Sequence, residues 1–154
     1  MVYKILEEID VDKLLAELSS FIDVNYNQQM LQGLKNQTDH QYGIGSYADY
    51  PEKEMDFKYT LIHSADYLNG IMKKNNFFRT RIMTMKNRHY SWHSDATYRI
   101  HIPLISNTET NFMVVEDTVI RMTPGYMYWV DTTRKHTYVN TSDEYRIHIV
   151  GCVK

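Results

Sequence analysis

The sequence predicts an α+β fold that is mainly β, with two helices first and about seven short strands after them. Apolar residues recur at helical spacing only in the first half of the chain. From Phe77 onward, short segments rich in Tyr, Ile, Val and Thr alternate with turn-forming pairs. This order is typical of an antiparallel barrel or sandwich with helices packed outside it. We expect one domain, 1–154, with helices and loops in 1–76 and the barrel strands in 77–154.

Composition excludes several classes of protein. With 43% apolar and 13% aromatic residues, the chain has enough apolar surface to bury a core. The chain has 17 basic and 19 acidic residues, so its formal net charge is -2. This charge does not favour binding to nucleic acid or to an anionic membrane. The single cysteine, Cys152, excludes an intramolecular disulfide and fits a reducing compartment. We find neither a signal-peptide pattern nor an apolar run of the roughly 20 residues of a membrane span, and we expect a cytoplasmic protein.

The N-terminal part predicts two helices around a polar stretch. Asp10 is a suitable cap for a helix over Val11–Ser19, because leucines then recur on one face. The stretch Asn25–Pro51 is rich in Asn, Gln, Gly, Tyr and Asp, so we expect an irregular region with one short strand at most, and a candidate lid. A second helix is predicted where apolar residues recur at helical spacing: Phe57, Leu61, Ala65, Leu68 and Met72.

The C-terminal part predicts about seven strands separated by pairs such as Lys86-Asn87 and Pro124-Gly125. The predicted strands are Thr80–Met85, Tyr98–Leu104, Asn111–Val115, Val119–Met122, Tyr126–Val130, Thr137–Asn140 and Tyr145–Val150.

Two of these strands carry the same pentapeptide. The run Tyr-Arg-Ile-His-Ile occurs at Tyr98–Ile102 and again at Tyr145–Ile149. Since alternate side chains of a strand share a face, each copy places an Arg and a His on one side and its isoleucines on the other. If the Arg and His face lies inside the barrel, the cavity is strongly cationic and needs anions or a metal. The alternative is that the Arg and His face of each strand is exposed to solvent and that the repeat is a coincidence.

A candidate metal site begins at His93-Ser94-Asp95, where an imidazole and a carboxylate would share one side of an extended strand. His136, in a segment of hairpin character, is the best-placed third ligand. Two histidines and one carboxylate on one face of an octahedral iron leave three positions open. His40, His63 and His89 show no partner pattern, and we interpret them as surface or structural residues.

Arginine provides the second half of the candidate site. Arg146 follows His136 by ten residues, enough for a tight turn and a return along the neighbouring strand. Its guanidinium would then share the cavity with the metal, and a planar guanidinium holds a carboxylate through two parallel hydrogen bonds. Arg99 and His101 would add a second cationic site.

Taken together, these motifs resemble the aspartyl/asparaginyl β-hydroxylase-like Fe(II)- and 2-oxoglutarate-dependent oxygenases, over roughly 79–153. The resemblance implies a double-stranded β-helix of the jelly-roll or cupin type. It implies His93, Asp95 and His136 as iron ligands, with no further catalytic residue. It implies that Arg146 pairs with the distal carboxylate of 2-oxoglutarate. The residues that carry the resemblance are His93-Ser94-Asp95, Arg99 to Leu104, Pro124-Gly125, His136, Asn140 and Arg146.

The resemblance also implies an activity. A dioxygenase of this kind hydroxylates an amino acid, or an Asp, Asn or Pro residue in a peptide, and gives succinate and CO2, with ascorbate as a possible reductant. Arg99 and His101 match positions near the other end of 2-oxoglutarate. Because animal members lack the carboxylate ligand, Asp95 places the chain closer to the bacterial proline hydroxylase branch. Tyr90 and Trp92 flank the metal motif and are candidate substrate contacts, although packing explains them equally well.

Other classes of function stay open from the sequence. A cupin-like isomerase or a non-catalytic metal-binding barrel is the main alternative, but such sites usually have more histidines and need no paired arginine. A zinc hydrolase would need a general base that no motif supplies. A sugar- or peptide-binding module would explain the 13 tyrosines and two tryptophans, which are also common in strands.

Overall fold

The computed structural model describes all 154 residues and contains twelve strands and two α-helices. The helices are α1 (Val11–Leu18) and α2 (Asp66–Lys74). The strands are β1 (Tyr3–Glu8), β2 (Gln28–Met30), β3 (Gln32–Gly33), β4 (Tyr59–Thr60), β5 (Phe78–Met85), β6 (Arg88–His89), β7 (Tyr98–Ile105), β8 (Asn111–Val115), β9 (Thr118–Ile120), β10 (Tyr126–Val130), β11 (His136–Asn140) and β12 (Arg146–Val153).

Two antiparallel sheets form the barrel. The larger has six strands in the order β1-β10-β7-β12-β5-β2, and the smaller has four in the order β6-β11-β8-β9. Strands β3 and β4 pair separately. The two copies of the repeated pentapeptide lie side by side in the larger sheet, because β7 pairs with β12. Predominantly antiparallel sheets with helices outside them confirm the predicted fold class.

The larger sheet has an apolar face and a polar face. On the apolar face, the isoleucines of β5, β7 and β12 pack against α1 and α2 in a core that includes Leu14, Leu18 and Leu68. On the opposite face, Arg99, His101, Arg146 and His148 are buried in the barrel interior. A second, smaller core around Met113 and Tyr138 closes the space between the sheets. The Arg and His face of both strands therefore points inward, and the alternative that it is exposed to solvent is wrong.

The first predicted helix is correct and the second is only half correct. Asp10 caps α1 by accepting a hydrogen bond from the backbone N–H of Lys13. Helix α2 begins at Asp66 rather than near Phe57. Phe57 is fully buried after a single 3-10 turn over Glu54–Asp56, and β4 follows it, so its helical spacing with the later residues is coincidental.

The predicted strands of the C-terminal part are confirmed, with ends that differ by a few residues. The sequence analysis missed β1, an edge strand whose side chains are mostly exposed and therefore show no alternation. It also predicted at most one strand in the polar stretch Asn25–Pro51, which contains two, β2 and β3. Neither helix has the length and apolar character that crossing a bilayer would require.

Candidate active site

A cavity of about 750 Å³ opens between the two sheets. Strands β5, β7 and β12 of the larger sheet form its floor. The facing wall consists of residues 90–91 and 93–96 and the start of β11. Part of the polar N-terminal stretch, at Gly45–Tyr47, lines the cavity as well, and its role as a lid stays a prediction.

Three potential metal ligands meet at one side of this cavity. One ligand atom from each of His93, Asp95 and His136 lies within 4.8 Å of the others. The Nε2 atom of His136 is 3.4 Å from Oδ2 of Asp95, and Nε2 of His93 is 3.9 Å from Oδ1. The structure therefore brings together the three residues that the sequence selected.

Hydrogen bonds of the two imidazoles orient them for coordination. Nδ1 of His93 lies 2.7 Å from the carbonyl oxygen of Ser91, and Nδ1 of His136 lies 2.9 Å from that of Arg134. Since a carbonyl oxygen only accepts, each Nδ1 carries a hydrogen, and each Nε2 faces Asp95 and is the nitrogen that a metal would bind. A backbone partner on the second nitrogen is the usual arrangement of a histidine that binds a metal. The donor set therefore fits a divalent transition metal.

The strand predicted for His93-Ser94-Asp95 is wrong. These residues form a loop, which is attached to the barrel through one isolated bridge between His93 and His136. The backbone N–H of Asp95 also donates to the carbonyl oxygen of Thr132. These few backbone bonds position the two ligands.

Asp95 is held in its ionised form. Burial by itself would raise the pKa of Asp95, but the hydrogen bond with His136 and the charge of Arg99 outweigh it and bring the pKa to about 2. Nη2 of Arg99 is 3.4 Å from Oδ1 of Asp95. A carboxylate that is charged at neutral pH is ready to bind a cation without losing a proton first.

Arg146 is buried at the other end of the cavity without an acidic partner. Its guanidinium lies 4.1 Å from the centre of the Tyr138 ring, and its Nε and Nη1 atoms are buried without a hydrogen-bond partner. Buried polar groups are almost always paired in folded proteins. Two free donors on a planar guanidinium therefore indicate a place for a carboxylate.

Between these two ends lie two buried histidines in contact. Nδ1 of His101 is 3.1 Å from Nδ1 of His148, so one ring donates to the other, and Nε2 of His148 is 3.4 Å from the hydroxyl of Tyr138. Burial and the nearby charge of Arg146 lower the pKa of both histidines well below its usual value. Both imidazoles are therefore neutral at neutral pH. The sequence placed His148 on this face but gave it no role.

Sequence analysis missed the acidic residue that organises the cavity. Glu54 is 5% exposed, and its Oε2 atom accepts from Nη1 of Arg79 at 2.9 Å and from Nη2 of Arg99 at 3.2 Å. Arg79 has the left-handed backbone value φ +48° and also donates to the carbonyl oxygens of Gly43 and Gly45. No local pattern identifies Glu54, because its partners lie 25 and 45 residues away.

A further arginine of the floor was also missed. Arg81 is buried on β5 and lines the cavity. Its Nη1 atom donates to Oε1 of Gln28 at 3.2 Å, and its Nε atom has no partner. Burial and the charge of Arg79 lower the pKa of Arg81 to about 10, at which it is still charged at neutral pH. The available signal was its place on the predicted strand Thr80–Met85, two residues after Arg79.

The remaining predicted residues have different surroundings. Tyr90 lines the cavity, whereas Trp92 is 54% exposed and does not line it. Asn140 is buried and donates to the carbonyl oxygens of Met85 and Glu144, so it fixes the turn after β11. The interpretation of the other histidines agrees with the structure: His40 bonds to a backbone carbonyl, and His63 and His89 are exposed.

Comparison with known proteins gives a family and a fold. The profile of the aspartyl/asparaginyl β-hydroxylase family matches residues 23–153, a longer segment than the motifs alone covered. No curated protein matches the sequence at a significant level.

Several solved structures share the fold at low sequence identity. AviO1 from Streptomyces viridochromogenes Tue57 aligns with a TM-score of 0.57 and 11% identity, over 97% of this chain and 88% of the other. A collagen prolyl hydroxylase of Paramecium bursaria Chlorella virus-1 aligns with a TM-score of 0.55 and 11% identity, over 100% and 91%. These likenesses confirm the predicted jelly-roll fold.

A third structure is similar over a shorter range. A 2OG-Fe(II) oxygenase family oxidoreductase from Burkholderia pseudomallei aligns with a TM-score of 0.50 and 18% identity, over 60% of this chain. The chain spans 56% of that protein, and 62% of a Photorhabdus luminescens protein.

Proposed function

The chain belongs to the aspartyl/asparaginyl β-hydroxylase family, and on this premise we propose that it is an Fe(II)- and 2-oxoglutarate-dependent dioxygenase. It would hydroxylate an amino acid or an Asp, Asn or Pro residue of a peptide and release succinate and CO2. The observation that carries this proposal is the combination of a two-histidine, one-carboxylate cluster with a buried, unpaired arginine in one cavity.

The iron would be held by His93, Asp95 and His136. Their orientation supports this assignment, because each imidazole turns its Nε2 towards Asp95 and the carboxylate is ionised. Three protein ligands leave room for a co-substrate and for oxygen. When bound, iron(II) with 2-oxoglutarate supplies the oxidising power for inserting oxygen into a C–H bond.

The chain's own groups would bind and orient 2-oxoglutarate. Arg146 would hold the distal carboxylate with its guanidinium, which has no acidic partner and lies 4.1 Å from the centre of the Tyr138 ring. His101 and Arg99 would lie near the other end, with Arg99 already in contact with Asp95. The buried floor excludes water, which strengthens each of these charge-assisted hydrogen bonds.

The proposal is tested by adding Fe(II) and 2-oxoglutarate to the protein without oxygen. We expect the weak visible charge-transfer band of the chelate, and we expect Arg146→Ala to weaken 2-oxoglutarate binding far more than metal binding. Arg121→Ala is the matched control, because Arg121 is exposed and does not line the cavity. Absence of the band in the unaltered protein would contradict the proposal.

The main alternative is a cupin-like metal-binding barrel without this activity. Such a protein would bind the metal and show no dependence on 2-oxoglutarate. The two unpaired donors of Arg146 favour the dioxygenase, since a barrel that binds only a metal has no use for a buried, uncompensated guanidinium. Succinate release, measured with and without ascorbate, separates the two and tests the need for a reductant.

We also propose that the protein acts in the cytoplasm on a small molecule or peptide. Its only cysteine, Cys152, is buried and free, which fits a reducing compartment. The near-balance of acidic and basic residues supports neither nucleic acid nor a membrane as partner.

A further inference from the structure

One buried carboxylate lies behind the proposed metal site without lining the cavity. Glu54 belongs to the single 3-10 turn Glu54–Asp56, outside the barrel strands. Both of its carboxylate oxygens accept hydrogen bonds: Oε1 accepts from the hydroxyl of Thr97 at 2.8 Å, and Oε2 accepts from Arg79 and Arg99. A buried polar network whose members are all paired is rigid, so these three partners fix the orientation of Glu54.

Arg79 attaches Glu54 to the barrel and to the polar N-terminal stretch. Its Nη1 atom donates to Glu54, whereas its Nε and Nη2 atoms donate to the carbonyl oxygens of Gly43 and Gly45. The backbone N–H of Arg79 donates to the carbonyl oxygen of Phe57 at 2.6 Å, which joins the 3-10 turn to the start of β5. Because the side chain of Arg79 is buried and each of its three nitrogens has a partner, it supports Glu54 rigidly.

Arg99 connects Glu54 to a proposed metal ligand. Its Nη2 atom donates to Oε2 of Glu54 at 3.2 Å and lies 3.4 Å from Oδ1 of Asp95. Its Nη1 atom donates to the hydroxyl oxygen and to the carbonyl oxygen of Thr97. Since each Nη atom carries two hydrogens, groups of the chain itself already occupy both atoms. The guanidinium of Arg99 is therefore a bridge between two carboxylates.

Arg99 and His136 face different oxygens of Asp95. Oδ1 is the oxygen beside Arg99, and Nε2 of His93 lies 3.9 Å from it. Oδ2 lies 3.4 Å from Nε2 of His136. The only neighbour of Oδ2 in this cluster is thus an imidazole that would itself bind the metal. Arg99 holds one oxygen of Asp95 and leaves the other for a cation.

The backbone of the same loop is tied to this network. The backbone N–H of Asp95 donates to the carbonyl oxygen of Thr132 at 2.8 Å. The hydroxyl of Thr132 donates to the carbonyl oxygen of Thr97 at 2.8 Å, and the hydroxyl of Thr97 donates to Glu54. A closed set of contacts therefore leads from the backbone of Asp95 to Glu54 and returns through Arg99 to the Asp95 side chain.

Charge gives an independent argument. Arg99 and a metal ion are both cations, so Arg99 repels the ion and competes with it for Asp95. Glu54 provides a negative charge beside the same guanidinium. Burial would raise the pKa of Glu54, but the charge of Arg99, the hydroxyl of Thr97 and the charge of Arg79 outweigh it and lower the pKa. Glu54 is therefore ionised at neutral pH and weakens the repulsion.

From these observations we infer that Glu54 is a positioning residue of the metal site. It holds Arg99 in place and offsets its charge, so that Asp95 offers Oδ2 to the metal ion. Glu54 would contact neither the ion nor the substrate and would act through Arg99. This inference rests on the metal site of the proposed function, because it takes Asp95 as a ligand. A residue outside the strands that carry the ligands would then set part of the metal affinity.

The first test measures metal binding without 2-oxoglutarate. Co(II), whose visible absorption depends on the ligands around the ion, is titrated into the unaltered protein, Glu54→Gln and Glu17→Gln. We expect Glu54→Gln to raise the Kd for Co(II) at least about tenfold and to change the absorption band, because partners of metal ligands usually contribute that much.

Glu17→Gln is the matched control of this titration. Glu17 is a half-buried carboxylate that accepts hydrogen bonds from the backbone N–H groups of Tyr67 and Leu68, and it does not line the cavity. Its replacement should lower stability but keep the Kd for Co(II) within about twofold, since distant sites act independently. An equal loss of affinity in Glu17→Gln would overturn the inference, because destabilisation alone would then weaken the metal site.

The second test asks whether Glu54 acts through Arg99. The Kd for Co(II) is measured for Glu54→Gln, for Arg99→Met and for the double variant. We expect Glu54→Gln to change the Kd by less than about twofold once Arg99 is absent, because the two residues would act as one unit. A merely structural role of Glu54 would give the same loss of affinity with and without Arg99, and this result would overturn the inference.

Thr97→Val replaces Glu54→Gln in the first test if Glu54→Gln does not fold. It removes the hydroxyl group that Glu54 and Arg99 share, and it keeps both charges. We expect the Kd for Co(II) to rise at least about threefold, less than for the loss of the carboxylate. Either variant, once folded, that keeps the Kd and the absorption band of the unaltered protein would overturn the inference.

Two further outcomes distinguish this inference from the proposed function. If the unaltered protein binds neither Co(II) nor Fe(II), the metal site is wrong, and both proposals fall. If the protein binds metal with the expected dependence on Glu54 but gives no charge-transfer band with 2-oxoglutarate, only the proposed function falls.

Discussion

The two walls of the cavity hold their functional side chains in different ways. On the floor, Arg81, His101 and Arg146 project from the central strands β5, β7 and β12, each of which has a neighbour on both sides. On the facing wall, His136 begins a strand, whereas His93 and Asp95 lie in a loop with one isolated bridge, and the side chain of His93 is 44% exposed. The arginines and the histidine of the floor are held by regular strands, whereas two of the three proposed metal ligands are held by a loop at the rim of the cavity.

From this contrast we expect that substitution of a proposed metal ligand in the facing wall has the largest effect on activity. His136→Ala removes one of three ligands, and no other histidine lies near enough to replace it. We expect iron affinity to fall at least about 100-fold, more than the loss of an outer hydrogen bond would cause, and turnover to disappear. Isothermal titration with Fe(II) under nitrogen measures it. His89→Ala, at an exposed histidine of the neighbouring strand, should behave like the unaltered protein, and retained turnover in His136→Ala would refute the ligand assignment.

The floor should instead carry the largest effect on stability. Glu54→Gln leaves Arg79 and Arg99 buried without their shared carboxylate. Breaking a buried ion pair by removing one partner costs about 3–5 kcal/mol, so the free energy of unfolding should fall by roughly that amount. Urea unfolding followed by circular dichroism checks this, with Glu116→Gln, in an exposed ion pair, as the control at about 0–1 kcal/mol. An equal loss of unfolding free energy in both variants would show that the buried ion pairs of Glu54 stabilise the protein no more than an exposed pair does.

The neutral histidines of the floor predict a smaller, pH-dependent effect. Because the pKa of His101 and of His148 is lowered in the folded state, the unfolded chain takes up protons first as the pH falls below about 6.5. Their contribution to stability is complete above that pH and is lost below it, by about 1–2 kcal/mol per histidine between pH 7 and pH 5. Urea unfolding of the chelator-treated protein at both pH values measures it. His148→Gln should flatten the dependence, and the exposed His63→Gln should not; an unchanged slope in His148→Gln would mean that His148 is not buried as a neutral group.

The smallest effect is expected at the exposed rim. Trp92 adjoins a proposed metal ligand, but it is exposed and does not line the cavity. Substitution of exposed residues usually changes stability by about 0.5 kcal/mol or less, so Trp92→Ala should change Tm little and activity by no more than about twofold. Tyr90→Ala, at a residue of the cavity wall, should reduce activity more. A larger loss in Trp92→Ala than in Tyr90→Ala would place the substrate outside the cavity that we describe.

The contrast also explains which parts of the site the sequence could predict. The strands of the floor were predictable, since alternation in the repeated pentapeptide reports directly which residues share a face. The three clustered residues His93, Asp95 and His136 were predictable because ligands on short spacings and a following arginine form a recognisable pattern. The loop that carries His93 and Asp95 was mistaken for a strand, because a spacing of two residues is compatible with a loop as well as with a strand.

Residues that act through distant partners were not predictable. Glu54 and Gln28 come from the polar N-terminal part, and nothing in their neighbourhood indicates that they meet arginines of the barrel. The second helix was placed too early for a related reason: Phe57 is buried by the tertiary fold and not by a helical face. Local periodicity predicts elements well, whereas contacts between distant segments are decided by the assembled core.

The position of Glu54 limits how far this protein could be shortened. A fragment that begins near Phe77 would keep every proposed iron ligand and the proposed anchor for 2-oxoglutarate. It would lack Glu54, the carboxylate that Arg79 and Arg99 share, and the helices that cover the apolar side of the larger sheet. Asp95 would still pair with Arg99, but Arg79 would be buried without a carboxylate and the apolar face of the sheet would be exposed to solvent. Efforts to engineer a smaller catalyst should therefore retain the stretch around Glu54.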